Sequence, residues 1–330
     1  MLKEYGDFHI DVDDPDAKQS ITVAHRGIYR WDETGPEDRI THIDKLDYDV
    51  VVLQMPSRQD ALDGIPLMQA QGIAVVAEFD DDYWAMDKGH FMRGEEDSRN
   101  MMEACRMADL VTVTTPKLAQ RIGNATNTPV RVLRNCIPRS YLSIDGMQHD
   151  ETIVGWSGNP HTHPGDLEVT RGAVARACRA NGAKFYSVGA ELAATLLGFE
   201  DREALNQGWV PLDLYPSALK YMDIGIIPLK NNEFNESKSY LKGLEYASLG
   251  IPFVASPSPE YKLLAKDGVG TIATTGPDWY RKLTHLMTSD FFREGLIGRG
   301  LEFAVRNTYE HRAWEWAEAW AKAIEIRKST

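Results

Sequence analysis

Residues 235–256, NESKSYLKGLEYASLGIPFVAS, decide how this chain folds. An apolar strand at 224–229 runs into a polar loop at 230–237, and a helix follows. Gly250-Ile251-Pro252 ends that helix, and a second strand occupies 253–255. Tyr240, Leu241, Leu244 and Ala247 recur at i, i+1, i+4 and i+7, an apolar stripe at helical period. Lys242 and Glu245 stand three apart and share another face. Ser237 or Ser239 is placed to cap the helix, and Gly250 with Pro252 stops it. The Lys238-Ser239 pair then stands at a helix N-terminus, where unpaired backbone N–H groups attract anions such as phosphate. One turn later the Glu245 carboxylate suits ribose hydroxyls. A plain amphipathic helix between two strands of an α/β sheet accounts for the same pattern without any ligand.

The surroundings carry the same alternation. Strands are predicted at 21–24, 49–53, 73–78, 110–114 and 130–133, with helices at 59–71, 95–108 and 116–122. A polar segment at 140–151, carrying Gly146, is the expected linker. Strands then recur at 152–156, 184–188 and 224–227, with helices at 167–180, 190–197 and 216–221. Three helices, 278–288, 291–306 and 309–327, close the chain, the last holding Trp314, Trp316 and Trp320. Strand and helix in alternation imply parallel sheets covered on both faces. A length of 330 residues suits two domains of ordinary size.

Composition narrows the partners. The formal charge is −13, of which residues 1–150 carry −11 and residues 151–330 carry −2. Duplex-binding proteins draw affinity from basic patches, so the acidic first half makes a duplex nucleic acid an unexpected partner. No apolar run approaches the ~20 residues of a membrane span. The acidic start shows no secretion signal, and Cys105, Cys136 and Cys178 are scattered without metal spacing. The expectation is a protein of the reducing cytoplasm.

Ligands of open α/β sheets sit at the carboxyl ends of strands, and four polar loops lie there. Asp80-Asp81-Asp82 follows the third strand. Three adjacent carboxylates repel one another; they suit a divalent metal, an acceptor or catalytic loop, or a solvated turn capped by Asp82. Residues 155–167, GWSGNPHTHPGDL, place glycines where backbone N–H groups can approach a phosphate. His161, His163 and Asp166 in that loop offer a metal as the alternative. Residues 134–138, RNCIP, close the first half, and Tyr29-Arg30 follows the first strand, where a guanidinium can pair with phosphate.

Taken together these motifs resemble the GT-B glycosyltransferases of the large group-1 (GT4-like) superfamily. Glu245 matches the second of their two signature glutamates, and Gly250, Pro252, Val254 and Ala255 match the G-x-P-x-V tail. Position 237 is Ser where the first glutamate would stand. Lys238, Ser239, Lys242 and Glu245 fit instead a branch with K-S-x-x-K-x-x-E. Gly158, Thr162, His163, Asp166 and Leu167 fit the G-x-x-x-T-H-x-x-D-L of that branch, and Asp80–Asp82 its acidic run.

The resemblance implies an α/β fold of two Rossmann-like, doubly wound domains facing across a cleft, with a C-terminal helix crossing back to the first. The domains would be residues 1–145, joined by 309–328, for the acceptor, and 150–308 for the nucleotide sugar. The implied activity is transfer of a sugar from a UDP- or GDP-sugar to a hydroxyl, retaining configuration, with no metal and no cofactor. Gly158, Thr162, Asp166, Lys238, Ser239, Lys242 and Glu245 would bind the donor. Asp81, Asp82 and His163 would be catalytic, and Tyr29, Arg30 and Asp80 would line the acceptor side. A protein or soluble glycan is the expected acceptor. The alternatives are a metal-dependent GT-A enzyme using Asp80–Asp82, a nucleotide-sugar or glycan-binding module without catalysis, and a glycosyltransferase of modified DNA bases.

Overall fold

The computed structural model describes residues 48–86, 94–146, 149–162 and 164–330, and the backbone of 22–24. Its contacts divide the chain into two units: Met1–Arg134 with Ser237–Ser239 and Arg312–Thr330, and Asn135–Glu236 with Tyr240–His311.

The first unit is built on a five-stranded sheet in the order β1 (Thr22–Ala24), β2 (Val50–Gln54), β3 (Ala74–Phe79), β4 (Leu110–Val113) and β5 (Val130–Val132). Strands β2 to β5 are parallel, but β1 runs antiparallel to β2, with Thr22 opposite Leu53. The sequence pattern implied an all-parallel sheet. A three-residue apolar strand does not encode its direction, and an antiparallel edge on a parallel sheet is common.

Side chains alternate across this sheet with period two. Val51, Leu53 and Val75 face Leu62, Ile65 and Met68 of α1 (Gln59–Ala70) and Ala104 of α2 (Glu95–Met107). Val50, Val52, Ala74, Val76 and Leu110 face Ala319, Trp320 and Ala323 of the C-terminal helix Tyr309–Lys328. Asp109, almost fully buried, accepts from the Val75 amide (2.8 Å) and is paired with Arg327, which pins the end of that helix to the sheet. Helix α3 (Pro116–Ala125) starts on Pro116 and is capped by Thr115, whose hydroxyl accepts from the Leu118 amide.

The second unit holds six parallel strands, β6 (Ile153–Gly158), β7 (Lys184–Gly189), β8 (Ala204–Asn206), β9 (Ile224–Ile227), β10 (Phe253–Ala255) and β11 (Thr271–Ile272). Their order in the sheet is β11-β10-β9-β6-β7-β8. Strand β6 pairs with β7 on one side and β9 on the other, so the winding reverses there. That is the switch point at which open α/β sheets hold ligands. The short strands β8 and β11 and the helix Pro259–Lys266 went unread in the sequence. The helix predicted at 167–180 is two pieces: a 3-10 turn, Leu167–Thr170, and the helix Ala173–Asn181. Arg171 and Gly172 between them are both left-handed (φ 51° and 67°) and break the hydrogen-bond ladder. In the segment read as linker, Tyr141, Leu142 and Ile144 pack against the second core beside Leu244 and Tyr246, and Ile137 bridges to Thr308.

The signature helix is Leu241–Ser248, later than its predicted start. Tyr240 holds the cap position and makes no side-chain cap bond, and the Ser237 hydroxyl goes to Asp82 instead. Its end follows the sequence. Gly250 is left-handed (φ 66°), its amide donates to Ala247 O (3.1 Å), and the Ile251 amide donates to Tyr246 O (2.9 Å). These two bonds form a Schellman motif, which satisfies the last carbonyls of the helix.

Candidate nucleotide site

The site of the second unit grows from the switch point. Strand β6 delivers Ser157 and Gly158, and β7 delivers Gly189. A Cβ on Gly189 would lie 2.2 Å from the Gly158 carbonyl oxygen, and φ there is 114°, so only glycine fits. The Ala190 amide donates to that same carbonyl (3.2 Å). The strand ends thus present bare backbone where a bulky ligand can approach.

The loop after β6 is internally fixed. Asn159 Oδ1 accepts from the His161 amide (3.0 Å), and the Thr162 hydroxyl donates to Asn159 O (2.9 Å). Asp166, 4 % exposed, accepts from the Lys230 amide and from Asn235 Nδ2, both at 2.8 Å. Its carboxylate therefore ties the loop after β6 to the loop after β9.

Helix 241–248 lays two charged groups beside these strand ends. Lys242 donates to the Ser157 carbonyl and stands 5.0 Å from the centre of the Trp156 ring, a cation–π arrangement. Glu245 is half-buried and accepts from the Tyr215 hydroxyl at 3.4 Å. That hydroxyl is also 3.0 Å from Ser157 Oγ. Burial pushes the Glu245 pKa up to about 7, against the opposing pull of the Lys242 ammonium and of the Tyr215 hydrogen bond.

Residues 237–239 belong with the first unit, where they meet the acidic run. The three aspartates part company. Asp80 accepts from the Tyr83 hydroxyl (2.7 Å). Asp81 pairs with Lys238, whose Nζ is 3.1 Å from both carboxylate oxygens. Asp82 has a fully buried side chain and accepts from Arg121 Nε (2.6 Å), Ser237 Oγ (2.9 Å) and, by its other oxygen, the Ala85 amide (3.2 Å). Burial raises the Asp82 pKa, while Arg121 and Ser237 oppose it. Asp82 does cap a 3-10 turn, Tyr83–Ala85, but as a buried group and not in the solvated turn that was one alternative. The Ser237 carbonyl accepts from the Thr115 hydroxyl (2.8 Å). Ser239 lies half-buried beside this anchor. Among the described residues no group of three or more His, Cys, Asp or Glu side chains is arranged to hold a metal.

The structure brings Gly158, Lys242 and Glu245 together in the second unit, and Asp81, Asp82 and Lys238 in the first. Tyr29, Arg30 and His163 lie outside the described residues. Sequence reasoning missed Tyr215, Gly189, Asn235 and Arg121. No local signal marks them, because each acts on a residue at least 30 positions away.

No protein-family model and no curated protein matches the chain. Solved structures do. HepE from Anabaena, in complex with UDP and glucose, superposes with a TM-score of 0.66 at 14% identity over 87% of this chain and 80% of that one. Sucrose-phosphate synthase from Thermosynechococcus elongatus gives 0.65 at 12% identity, over 94% and 86%. TarM gives 0.63 at 13% identity over 85% of this chain, which spans only 57% of TarM. At these identities the likeness is one of fold, and the chain has the GT-B fold of two Rossmann-like α/β units.

Proposed function

We propose that this protein is a glycosyltransferase that moves a sugar from a nucleoside diphosphate sugar to an acceptor hydroxyl. The observation that carries the reading is the placement of Lys242 and Glu245 on one helix beside the glycine-lined end of β6, at the sheet's switch point. Fold neighbours support it: HepE is seen with UDP and glucose, and the pneumococcal O-GlcNAc transferase GtfA with UDP and GlcNAc.

In this reading Glu245 accepts from the ribose hydroxyls, and Lys242 and Lys238 balance the diphosphate charge with backbone N–H groups at 238–241. Gly158, Thr162 and Ser239 shape the donor pocket, and Asp166 holds its two loops in register. Catalysis is then mainly positioning and stabilisation of the leaving diphosphate, which gathers negative charge as the glycosidic bond breaks. Asp81 meets the reacting sugar or the acceptor once Lys238 turns to phosphate, and Asp82 fixes the loop that carries Asp81. Asp80, Tyr29 and Arg30 are proposed for the acceptor side and His163 for the reacting centre. The reaction retains configuration and needs no metal, because Lys238 and Lys242 supply the positive charge. A protein or soluble glycan is the proposed acceptor. No described helix is long and apolar enough to cross a membrane.

The test is calorimetry against UDP-, GDP- and dTDP-sugars, followed by donor hydrolysis without acceptor. One nucleotide should bind, Glu245→Gln should weaken it by about 1–3 kcal/mol, the usual loss for a charge-assisted hydrogen bond, and slow hydrolysis should appear. Failure of every donor to bind, or unchanged affinity in the variant, would overturn the reading. Binding without any turnover would reduce the protein to a nucleotide-sugar-binding module.

A further inference from the structure

We infer that Tyr215 is a positioning residue for Glu245. Held at Ser157 by one side of its hydroxyl, it fixes one carboxylate oxygen and leaves the other turned to a ligand. The inference rests on the donor reading of Glu245 but is decided by a separate measurement.

Three elements converge on one oxygen atom. Tyr215 opens the short helix Tyr215–Leu219, Ser157 is the last residue but one of β6, and Glu245 lies on helix 241–248. The Tyr215 hydroxyl sits 3.0 Å from Ser157 Oγ and 3.4 Å from Glu245 Oε2. A phenol has one proton to give, and the carboxylate can only accept. The proton therefore goes to Glu245 while Ser157 donates to the phenol oxygen, or the chain runs the other way when Glu245 is protonated. Among the described residues no hydrogen bond reaches Glu245 Oε1. One oxygen is held and the other is open, which is the arrangement that lets a carboxylate take a diol in a fixed direction.

Other groups around Glu245 do not duplicate this contact. Lys242 faces it from the same helix, but its ammonium is engaged with the Ser157 carbonyl and the Trp156 ring. Tyr141, Tyr246 and Tyr261 feel its charge, from the 3-10 turn Arg139–Ser143, its own helix and the helix Pro259–Lys266, and none is hydrogen-bonded to it. Burial holds the Tyr215 proton in place well beyond the ordinary tyrosine range, so Tyr215 acts as a fixed donor and not as a base.

A hydrogen bond donated to the carboxylate favours its ionised form. Removing the donor should push the Glu245 titration upward. The experiment follows the Glu245 side-chain carboxyl carbon by NMR in protein labelled with 13C-glutamate, across about pH 5 to about pH 9, in native, Tyr215→Phe, Ser157→Ala and Tyr141→Phe proteins. Glu245→Gln assigns the signal. The same proteins are titrated with UDP by calorimetry.

The native midpoint should lie near 7. Tyr215→Phe should raise it by roughly 0.5–1 pH unit, the scale of one modest hydrogen bond at the long end of the distance range. Ser157→Ala should raise it less, and Tyr141→Phe should leave it in place. UDP affinity in Tyr215→Phe should fall several-fold below the new midpoint, and part of that loss should persist above it, where Glu245 is ionised but no longer held. A midpoint unmoved by Tyr215→Phe, or moved equally by Tyr141→Phe, would overturn the inference whatever UDP does. Absence of UDP binding with a shifted midpoint would instead count against UDP as the donor while the positioning role stands.

Discussion

Asp82 and Glu245 are both carboxylates drawn away from water, one in each unit, with burial raising the pKa of each, and Asp82 has by far the fuller set of hydrogen-bond partners. Asp82 receives a guanidinium, a hydroxyl and a backbone amide at hydrogen-bond distance. Glu245 receives a single long bond from Tyr215, while the nearest ammonium, Lys242, is engaged elsewhere. A buried acid with all its partners is architecture: it fixes the loop that carries it. A buried acid left under-satisfied costs stability, and sites that persist with that cost are where function is found. The two carboxylates were equal candidates in the sequence, and their surroundings separate them.

The largest test of this contrast is Arg121→Met. It leaves the Asp82 charge buried without its ion-pair partner, a change that usually costs 3–5 kcal/mol; because Arg121 is about one-third exposed, about 3 kcal/mol is expected. Urea unfolding at neutral pH measures it. A cost below about 1 kcal/mol would erase the distinction between the two carboxylates.

Glu245→Gln should do the opposite. The Glu245 carboxyl titrates near 7 in the fold, above the ordinary value of 4.5, so the folded chain holds its proton more tightly than the unfolded chain. Its contribution to stability is complete below about 4.5 and is lost as pH rises through about 7. Glutamine has no such loss. The stability of Glu245→Gln relative to the native protein should therefore grow between about pH 5 and about pH 8, read by urea midpoints. A difference that stays constant or shrinks over that interval would mean that Glu245 is as well compensated as Asp82.

The smallest effect sharpens the first half of the contrast. Thr115→Val removes the hydroxyl that donates to the Ser237 carbonyl and also caps helix α3. The expected cost is about 1–2 kcal/mol for a cap and a buried acceptor together, read by urea unfolding. A cost below about 0.5 kcal/mol would show that the 237–239 anchor adds little to the first unit.

Much of the frame was legible from residue order. Buried parallel strands read as apolar runs, and the stop of the signature helix was written in Gly250 and Pro252 because a Schellman end is a local structure. The start of the same helix was not legible. Ser237 has the chemistry of a cap, but its hydroxyl goes to Asp82, 155 positions away. Asp80–Asp82 announced that three like charges needed partners; which partner each would take depended on Tyr83, Lys238 and Arg121, brought there by the fold. Lys238 was read as a phosphate ligand and Asp81 as a reacting-centre group, and their ion pair joins the two in a way no spacing rule gives. Asp166 likewise reads as a ligand-loop residue in sequence, yet its oxygen is spent on joining two loops.

The C-terminal helix has a consequence for the order in which the chain takes shape during synthesis. Ala319, Trp320 and Ala323 cover one face of a sheet whose strands end at Val132. At a translation rate of about 5–20 residues per second, that face waits about 10–40 s for its cover. Before that interval ends the second unit has all of its strands in hand. The half made first is therefore the half completed last. An interrupted ribosome would release a chain with a finished nucleotide-side core and an open apolar sheet, the form most exposed to chaperones and to aggregation.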